Sequence, residues 1–117
     1  MANYRELIVW QKSMILTEEI YRIVKSLPKE ELYALSDQMR RAAVSIPSNI
    51  SEGHGRNSKN EFYRFLAIAQ GSRAELETQL EICKRLNYVS ESEIEHAMLL
   101  CTEVEKMIYA LMQKLRT

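Results

Sequence analysis

Residues that make sharp turns, disulfides or metal sites are scarce in this 117-residue sequence, which contains three Gly, two Pro, two Cys and two His. Because tight turns draw mainly on Gly and Pro, the scarcity favours few and long secondary-structure elements. Cys83 and Cys101 do not form a CxxC motif, and His54 and His96 lie far from both cysteines in sequence. We therefore expect no metal ion, no redox centre and no cofactor, and two reduced thiols in the core.

An excess of charge and a long apolar run are also missing. Sixteen Lys and Arg residues balance sixteen Asp and Glu residues, so the composition gives no indication of nucleic-acid or anionic-membrane binding. Apolar runs extend over a few residues only, as at Ala97–Cys101, which is too short for a membrane span or a secretion signal. We expect a cytoplasmic protein with no membrane partner, folded as one domain over residues 1–117.

Apolar residues recur every three or four positions from Tyr4 to Leu27, which predicts the first helix. Pro28 ends this helix, because a proline disfavours the helical conformation of the residue before it. Two interpretations remain for the residues after Pro28. One is a single helix with a defect near Leu35, and the other is a turn over Lys29 to Tyr33 followed by a longer helix capped by Ser36.

Two capping boxes predict the starts of the last two helices. In each box the serine side chain accepts the amide of a glutamate three residues on, and that glutamate accepts the serine amide in return. Ser58 and Glu61 form the first pair, and Ser90 and Glu93 the second, with residues 87–89 as the connection between the two helices. The sequence thus predicts an all-α, antiparallel, up-down-up-down four-helix bundle.

Pro47 lies within the helical pattern of the second helix. It has no amide hydrogen and its ring presses on the carbonyl four residues earlier, a defect of roughly 3 kcal/mol in an ordinary helix. We therefore predict a kink at Pro47 that tertiary contacts compensate. Ser45, Ser48 or Asn49 are the expected donors to the freed carbonyl groups.

The glycines also carry predictions. Gly53 and Gly55 are expected to close the second helix in the left-handed conformation. Gly71, in mid-helix, costs about 1 kcal/mol relative to alanine, so we expect another helix to pass close to it.

Pairing the second and third helices across the loop at residues 53–58 predicts a polar network between them. It places Arg40 and Arg41 near Ser72 and Glu75, and predicts an arginine–Glu75 ion pair. It also places a hydrogen-bond cluster around Asn49, near Glu61 and Arg64. Buried ionic groups more often fix packing than catalyse, so the favoured role is structural. The candidate network comprises Arg40, Arg41, Ser45, Asn49, Glu52, Glu61, Ser72 and Glu75.

The loop GHGRNSK, residues 53–59, combines flexible amides with two basic side chains at a helix start, an arrangement that suits an anion. Helix caps explain the same residues without a ligand, and this is the favoured interpretation. The candidate anion or nucleic-acid contacts are Arg40, Arg41, Arg56, Lys59 and Arg64.

The fourth helix is apolar over more of its circumference than one antiparallel neighbour covers, which predicts contact with another copy of the chain. No nucleophile, base and orienting group can be assembled, so we expect neither an enzyme nor a small-molecule substrate. The candidate interface residues are Trp10, Leu99, Leu100 and Met107.

The segment QMRRAAVSIPSNISEGHGRNSKNEFYRFLAIAQGSRAELETQL at residues 38–80, with LIVW at 7–10 and LPKEE at 27–31, resembles a known bacterial family. These are the proteins encoded in intervening sequences of 23S ribosomal RNA genes. The resemblance implies a four-helix bundle that assembles as a ring of five. It also implies kinship with the strongly basic accessory proteins of diversity-generating retroelements, which bind reverse transcriptase and nucleic acid. The zero net charge departs from those relatives, as Ala34 and Ser51 depart from the family's usual residues.

Two functional hypotheses result. The first is a non-enzymatic, ring-forming interaction protein, a homopentamer with an unknown further partner. The alternative is a weak nucleic-acid binder that gathers the basic residues of several copies on one rim.

Overall fold

The computed structural model describes residues 3–116 as an antiparallel bundle of four α-helices, 44 × 24 × 20 Å in extent. Each helix packs against two others around the bundle, α1 and α3 both contacting α2 and α4. The predicted all-α four-helix bundle is therefore confirmed. The helices are α1 (Ile8–Val24), α2 (Leu35–His54), α3 (Lys59–Arg85) and α4 (Glu91–Leu115), with short 3-10 helices at Tyr4–Glu6 and Lys29–Glu31.

Side chains at helical spacing on all four helices meet in a shared core. Burying a leucine or isoleucine fully stabilises a fold by about 1.5–3 kcal/mol, so this core supplies most of the driving force. Its largest fully buried members include Leu16 and Ile20 of α1, Met39, Ile46 and Ile50 of α2, Leu66, Leu76 and Leu80 of α3, and Val104 and Ile108 of α4.

The first helical segment is interrupted once. Leu7 has an extended backbone between the first 3-10 helix and α1, so the continuous helix predicted from Tyr4 is wrong over its first turn. Between α1 and α2, the interpretation as a turn followed by a longer helix is confirmed. Ser36 does not cap α2, because the helix already begins at Leu35. A carboxylate oxygen of Glu31 accepts the Leu35 amide instead, at 3.3 Å.

The two serine caps differ in completeness. At Ser90 both bonds of the capping box form, 3.2 Å from the Glu93 amide to Ser90 Oγ and 2.7 Å from the Ser90 amide to Glu93. At Ser58 only the first bond is present, from the Glu61 amide to Ser58 Oγ at 3.2 Å. The reason is that the Glu61 carboxylate turns instead toward Arg64.

Pro47 lies inside α2, which is one continuous α-helix, so the kink stays a prediction. The carbonyl that Pro47 leaves without an intrahelical donor belongs to Ala43. It receives the hydroxyl of Thr17 on α1 at 3.2 Å, a hydroxyl that also lies 2.8 Å from the Ser13 carbonyl. The shorter contact of this one hydroxyl runs to Ser13 within α1, so compensation of the proline by a tertiary donor stays a prediction. The donor within reach of Ala43 lies on a neighbouring helix and not on α2 itself.

The glycine predictions are wrong, and the close approach lies at a different glycine. A Cβ at Gly71 would meet nothing within 4 Å, so no helix passes close there. At Gly53 a Cβ would lie 2.5 Å from the Cβ of Phe65, which makes Gly53 the site of close helix approach. Neither Gly53 nor Gly55 is left-handed. In the described chain the positive φ values belong to Asn57 (56°) and Asn87 (63°), in the two turns that flank α3.

Candidate functional site

Hydroxyl and amide groups connect α2 and α3 near the middle of the bundle. Ser45 Oγ and Ser72 Oγ lie 2.8 Å apart. Asn49 Nδ2 donates to the Ser45 carbonyl at 2.7 Å and lies 2.9 Å from Ser45 Oγ. The structure thus brings three of the predicted network residues together. Such a short, neutral cluster fixes the spacing of two helices and offers no group that titrates near neutral pH.

The arginine–Glu75 ion pair predicted between the same helices is wrong. Arg41 Nε lies 3.0 Å and Arg40 Nη2 3.9 Å from the carboxylate of Asp37, one turn earlier on α2. Glu75 instead accepts a long, 3.4 Å hydrogen bond from Gln79. Partners three or four residues apart on one helix are already adjacent, so they compete well against a partner on another helix.

The helix register explains why that pair fails. Ser72 was expected opposite Arg40 and Arg41, but it faces Ser45, about one turn further along α2. The α2–α3 pairing is fixed instead by the close packing of Gly53 on Phe65. Asn49 is thereby held beside Ser45. Glu61 and Arg64, which were expected near Asn49, form an ion pair with each other at 3.2 Å.

The turn between α2 and α3 uses its own polar groups. Arg56 pairs with Glu52 at 3.0 Å and its guanidinium stacks 5.1 Å from the ring centroid of Phe65. Ser58 is occupied as the cap of α3. Residues of this turn line a shallow groove of about 320 Å³, bordered by Lys59 and Phe62. The cap of α3 and the ion pair to Glu52 thus engage Ser58 and Arg56 without a ligand.

The predicted basic contacts do not gather on one rim. Arg40 and Arg41 lie near the start of α2, whereas Arg56, Lys59 and Arg64 follow its end. At 1.5 Å per residue, the two groups are roughly 20 Å apart. All four arginines pair with an acidic residue three or four positions away on their own segment. Such a divided set, whose four arginines share three carboxylates, gives a single chain little local surplus of positive charge at either end of α2.

A second polar seam, which the sequence did not lead us to expect, joins α3 to α4. Arg73 is buried, pairs with Glu77 at 2.8 Å and donates from Nε to Gln70 Oε1 at 3.1 Å. Glu105 of α4 lies 3.8 Å from the same guanidinium, and Gln70 donates to its carbonyl at 3.2 Å. A signal was present in the sequence, because position 73 falls on the inward stripe between Ala69 and Leu76.

The cysteines are unsuited to nucleophilic chemistry. Both are free and buried. Burial raises the pKa of Cys83 to about 11 and that of Cys101 to about 12. Because the thiolate is the reactive form, neither side chain reacts readily at neutral pH.

The four interface candidates have different surroundings. Leu99 is 60% exposed, whereas Leu100 is 3% exposed and belongs to the core, so Leu100 is not available to a partner. Trp10 packs edge-on against Tyr4, with ring centroids 5.3 Å apart, and rests on the core. Met107 is partly buried in the same way. We assumed from the sequence that α4 has one helical neighbour, but it has two, α1 and α3. Contact with both of them explains its wide apolar surface.

Helix α1 nevertheless exposes large apolar side chains along both of its borders. On the border next to α4, Lys12 pairs with Glu103 at 3.3 Å and Glu19 lies 3.4 Å from His96. The same stripe of α1 carries Ile8 and Ile15, and Leu99 lies between the two partners on α4. We call Ile8, Ile15 and Leu99 the α1–α4 patch, all of them exposed.

The opposite border of α1 faces α2, as the Thr17–Ala43 hydrogen bond shows. Met14 and Tyr21 are on the stripe of Thr17, and Tyr21 shares a groove with Val44 of α2. We call Met14, Tyr21 and Val44 the α1–α2 patch, and each is exposed. The bundle therefore presents two different apolar patches on two different faces.

Metal sites and membrane spans are both absent from the described part of the chain. Over residues 3–116 no group of three or more His, Cys, Asp or Glu side chains is arranged to hold a metal ion. Within the same range no helix has the length and apolar character needed to cross a membrane.

Comparison with known proteins gives consistent results. The family model for 23S rRNA-intervening sequence proteins matches residues 5–110. No curated protein matches the chain. A solved structure from Bacteroides thetaiotaomicron VPI-5482, described as a protein with unknown function from the S23 ribosomal protein family, is 28% identical in sequence. Its TM-score is 0.83, and the alignment covers 91% of this chain and 96% of that one.

Proposed function

Because the chain belongs to the 23S rRNA-intervening sequence protein family, we propose that it is a non-enzymatic interaction protein of the bacterial cytoplasm that assembles into a ring of five copies. A further partner then binds the ring. The observation that supports assembly is the pair of distinct apolar patches on either side of α1. The buried, weakly acidic thiols support a role other than catalysis.

Two different patches favour a ring over a symmetric dimer. In a twofold dimer one surface meets itself, whereas a ring needs two complementary surfaces on each copy. We propose that the α1–α4 patch of one copy packs against the α1–α2 patch of the next. Exposed apolar side chains on separate faces are what such a head-to-tail contact uses.

Solution mass tests the assembly. Light scattering on the wild type should give about five times 13.7 kDa. Ile15→Lys places a charge in the α1–α4 patch and Val44→Lys does so in the α1–α2 patch, and each should reduce the mass to that of one chain. Ile82→Lys on α3 is a matched control, since Ile15, Val44 and Ile82 are 43%, 41% and 40% exposed. It should leave the ring intact.

Mixing the two disrupted variants tests the head-to-tail geometry. Ile15→Lys retains a normal α1–α2 patch and Val44→Lys retains a normal α1–α4 patch, so the mixture should form one contact and stop at two chains. A wild type that stays at 13.7 kDa at high concentration would overturn self-association. A mixture that stays monomeric, or an Ile82→Lys variant that also dissociates, would place the contact elsewhere.

A further inference from the structure

A basic groove of the bundle lies where α1 ends and α2 begins. It has a volume of about 450 Å³ and is lined by both polar and apolar side chains. Lys25, Lys29 and Arg40 are the charged residues of its wall, which contains no acidic residue. The remaining lining consists of Ser36 and of Tyr21, Val24, Leu27, Pro28 and Leu32. We call it the α2 groove.

Ser36 is the unusual residue of this groove. Its side chain is 2% exposed, it lines the groove, and among the described residues its hydroxyl has no hydrogen-bond partner. Its oxygen is still reached from the groove, since among the described side chains Gln79 Oε1 is the atom that is fully buried without a partner. Ser36 therefore offers the groove a hydroxyl that no group of the described chain uses.

The first backbone amides of α2 also lack hydrogen-bond acceptors. Ser36 is the second residue of α2, and the first amides of a helix have no intrahelical acceptor. Glu31 accepts the Leu35 amide, but within residues 3–116 nothing accepts the Ser36 amide. The positive end of the helix dipole adds to the attraction for an anion. A hydroxyl and an amide without partners and the start of a helix thus coincide at Ser36.

The basic side chains of the groove also form fewer ion pairs than those at the other end of α2. Lys25 and Lys29 form no ion pair within the described chain. Arg40 donates to the Leu32 carbonyl at 3.3 Å and is 3.9 Å from Asp37, so its guanidinium retains free donors. At the end of α1 the carbonyls of Arg22, Ile23 and Val24 accept the amides of Lys25, Ser26 and Leu27.

We propose that the α2 groove binds a small phosphate ester. Its phosphate accepts hydrogen bonds from the Ser36 hydroxyl and amide and pairs with Lys29 and Arg40. Its apolar or aromatic body lies against Leu27, Pro28 and Leu32. The mixture of a cationic end and an apolar wall selects an ester over free phosphate. It is a ligand class that the sequence alone did not predict.

Amide chemical shifts of the 15N-labelled chain test the proposal with three probes: phenyl phosphate, inorganic phosphate and phenol. Phenyl phosphate should shift the Ser36 and Asp37 amides in a saturable way and bind at least about fivefold more tightly than inorganic phosphate. Phenol, which lacks the phosphate, should bind more weakly than either. Equal affinity for the two phosphates would overturn the apolar part of the site. The absence of saturable shifts at these two amides would overturn the site itself.

Variants separate the groove from general electrostatic attraction. Ser36→Ala should weaken phenyl phosphate binding by about tenfold or more, the usual worth of one hydrogen bond to a charged group, and Lys29→Gln by a similar factor. Lys106→Gln is the matched control, because it removes the same charge from an exposed position on α4. An equal loss in Lys106→Gln, or no loss in Ser36→Ala, would overturn the assignment.

Tyr21 also belongs to the α1–α2 patch, so the titration is repeated on Ile15→Lys, which leaves every groove residue unchanged. Binding should be the same in this variant. Binding that disappears in Ile15→Lys but occurs in the wild type would place the site between copies and overturn its assignment to one chain.

Discussion

The two ends of α2 carry similar residues, but they differ in how many hydrogen-bond donors and basic groups remain without a partner. At its end, the turn at residues 55–58 has Arg56 paired with Glu52 and Ser58 bonded to the next helix. At its start, the Ser36 hydroxyl is open to the groove without a partner and the lysines beside it are not paired within the described chain. Anion recognition depends on donors that remain free, so the number of basic residues in a motif is a poor guide to it.

The largest expected effect concerns the packed end of α2. Gly53→Ala should destabilise the fold by about 2 kcal/mol, because its Cβ would lie 2.5 Å from the Phe65 Cβ, a carbon fixed to the α3 backbone. Overpacking of this kind outweighs the gain of about 1 kcal/mol in helix propensity. Urea denaturation measures the change. Gly71→Ala is the matched control and should have the opposite sign, stabilising by up to about 1 kcal/mol, since nothing lies within 4 Å. Two losses of equal size would contradict the comparison.

The middle of α2 gives the next largest effect. Thr17→Val keeps the shape of the side chain and removes the hydroxyl that reaches the Ala43 carbonyl at 3.2 Å. The same hydroxyl lies 2.8 Å from the Ser13 carbonyl of its own helix. The Ala43 carbonyl has no intrahelical donor because of Pro47, so the loss should exceed that of a threonine bonded only within its own helix by about 1 kcal/mol in thermal or urea unfolding. Thr78→Val is the control. Its hydroxyl contacts the carbonyl of its own helix, at Ala74, which already has an intrahelical donor. A similar loss in both variants would show that Thr17 does not compensate the proline.

The serine that starts α3 should matter less. Ser58→Ala removes the acceptor of the Glu61 amide and should cost about 1 kcal/mol. Ser58→Asp provides an acceptor again and should recover most of that loss. If Ser58→Asp is as unstable as Ser58→Ala, the Ser58 side chain does not act as a cap.

The serine at the start of α2 should contribute almost nothing to stability. Ser36→Ala is expected to change the free energy of unfolding by less than about 0.5 kcal/mol, because the hydroxyl is open to the groove and makes no bond within the described chain. The contrast with Ser58→Ala separates a serine that serves the fold from one that is free for a ligand. A loss as large as that of Ser58→Ala would show that the Ser36 hydroxyl has a structural partner.

The sequence predicts local features of this protein well and relations between helices poorly. The caps at Ser58 and Ser90 follow from residues three positions apart, and the number and kind of helices follow from periodicity alone. The Thr17–Ala43 bond and the Gly53–Phe65 contact depend on how one helix is placed along another. A shift of one turn in that register moved Ser72 from Arg41 to Ser45. The free hydroxyl of Ser36 could not be predicted either, because the sequence suggested that it was the cap.

The smallest expected effect concerns a second contact at the start of α2. Tyr88, in the turn before α4, donates its hydroxyl to Glu31 at 2.9 Å, and this hydrogen bond raises the pKa of Tyr88. A pKa raised by folding stabilises the protein below the ordinary tyrosine value of about 10, and that stabilisation is lost as the pH rises through the folded pKa. Glu31→Gln keeps a hydrogen-bond acceptor and removes the charge. It should lower the pKa of Tyr88 and flatten the alkaline loss of stability.

Ring carbon signals followed by NMR from about pH 8 to about pH 12, a range that brackets the ordinary tyrosine value, measure this pKa directly. Glu30→Gln is the control, because Glu30 acts on Tyr88 through charge alone and more weakly than Glu31. It should produce a smaller decrease than Glu31→Gln. A Tyr88 pKa that is the same in the wild type and in Glu31→Gln would mean that the carboxylate does not hold the turn.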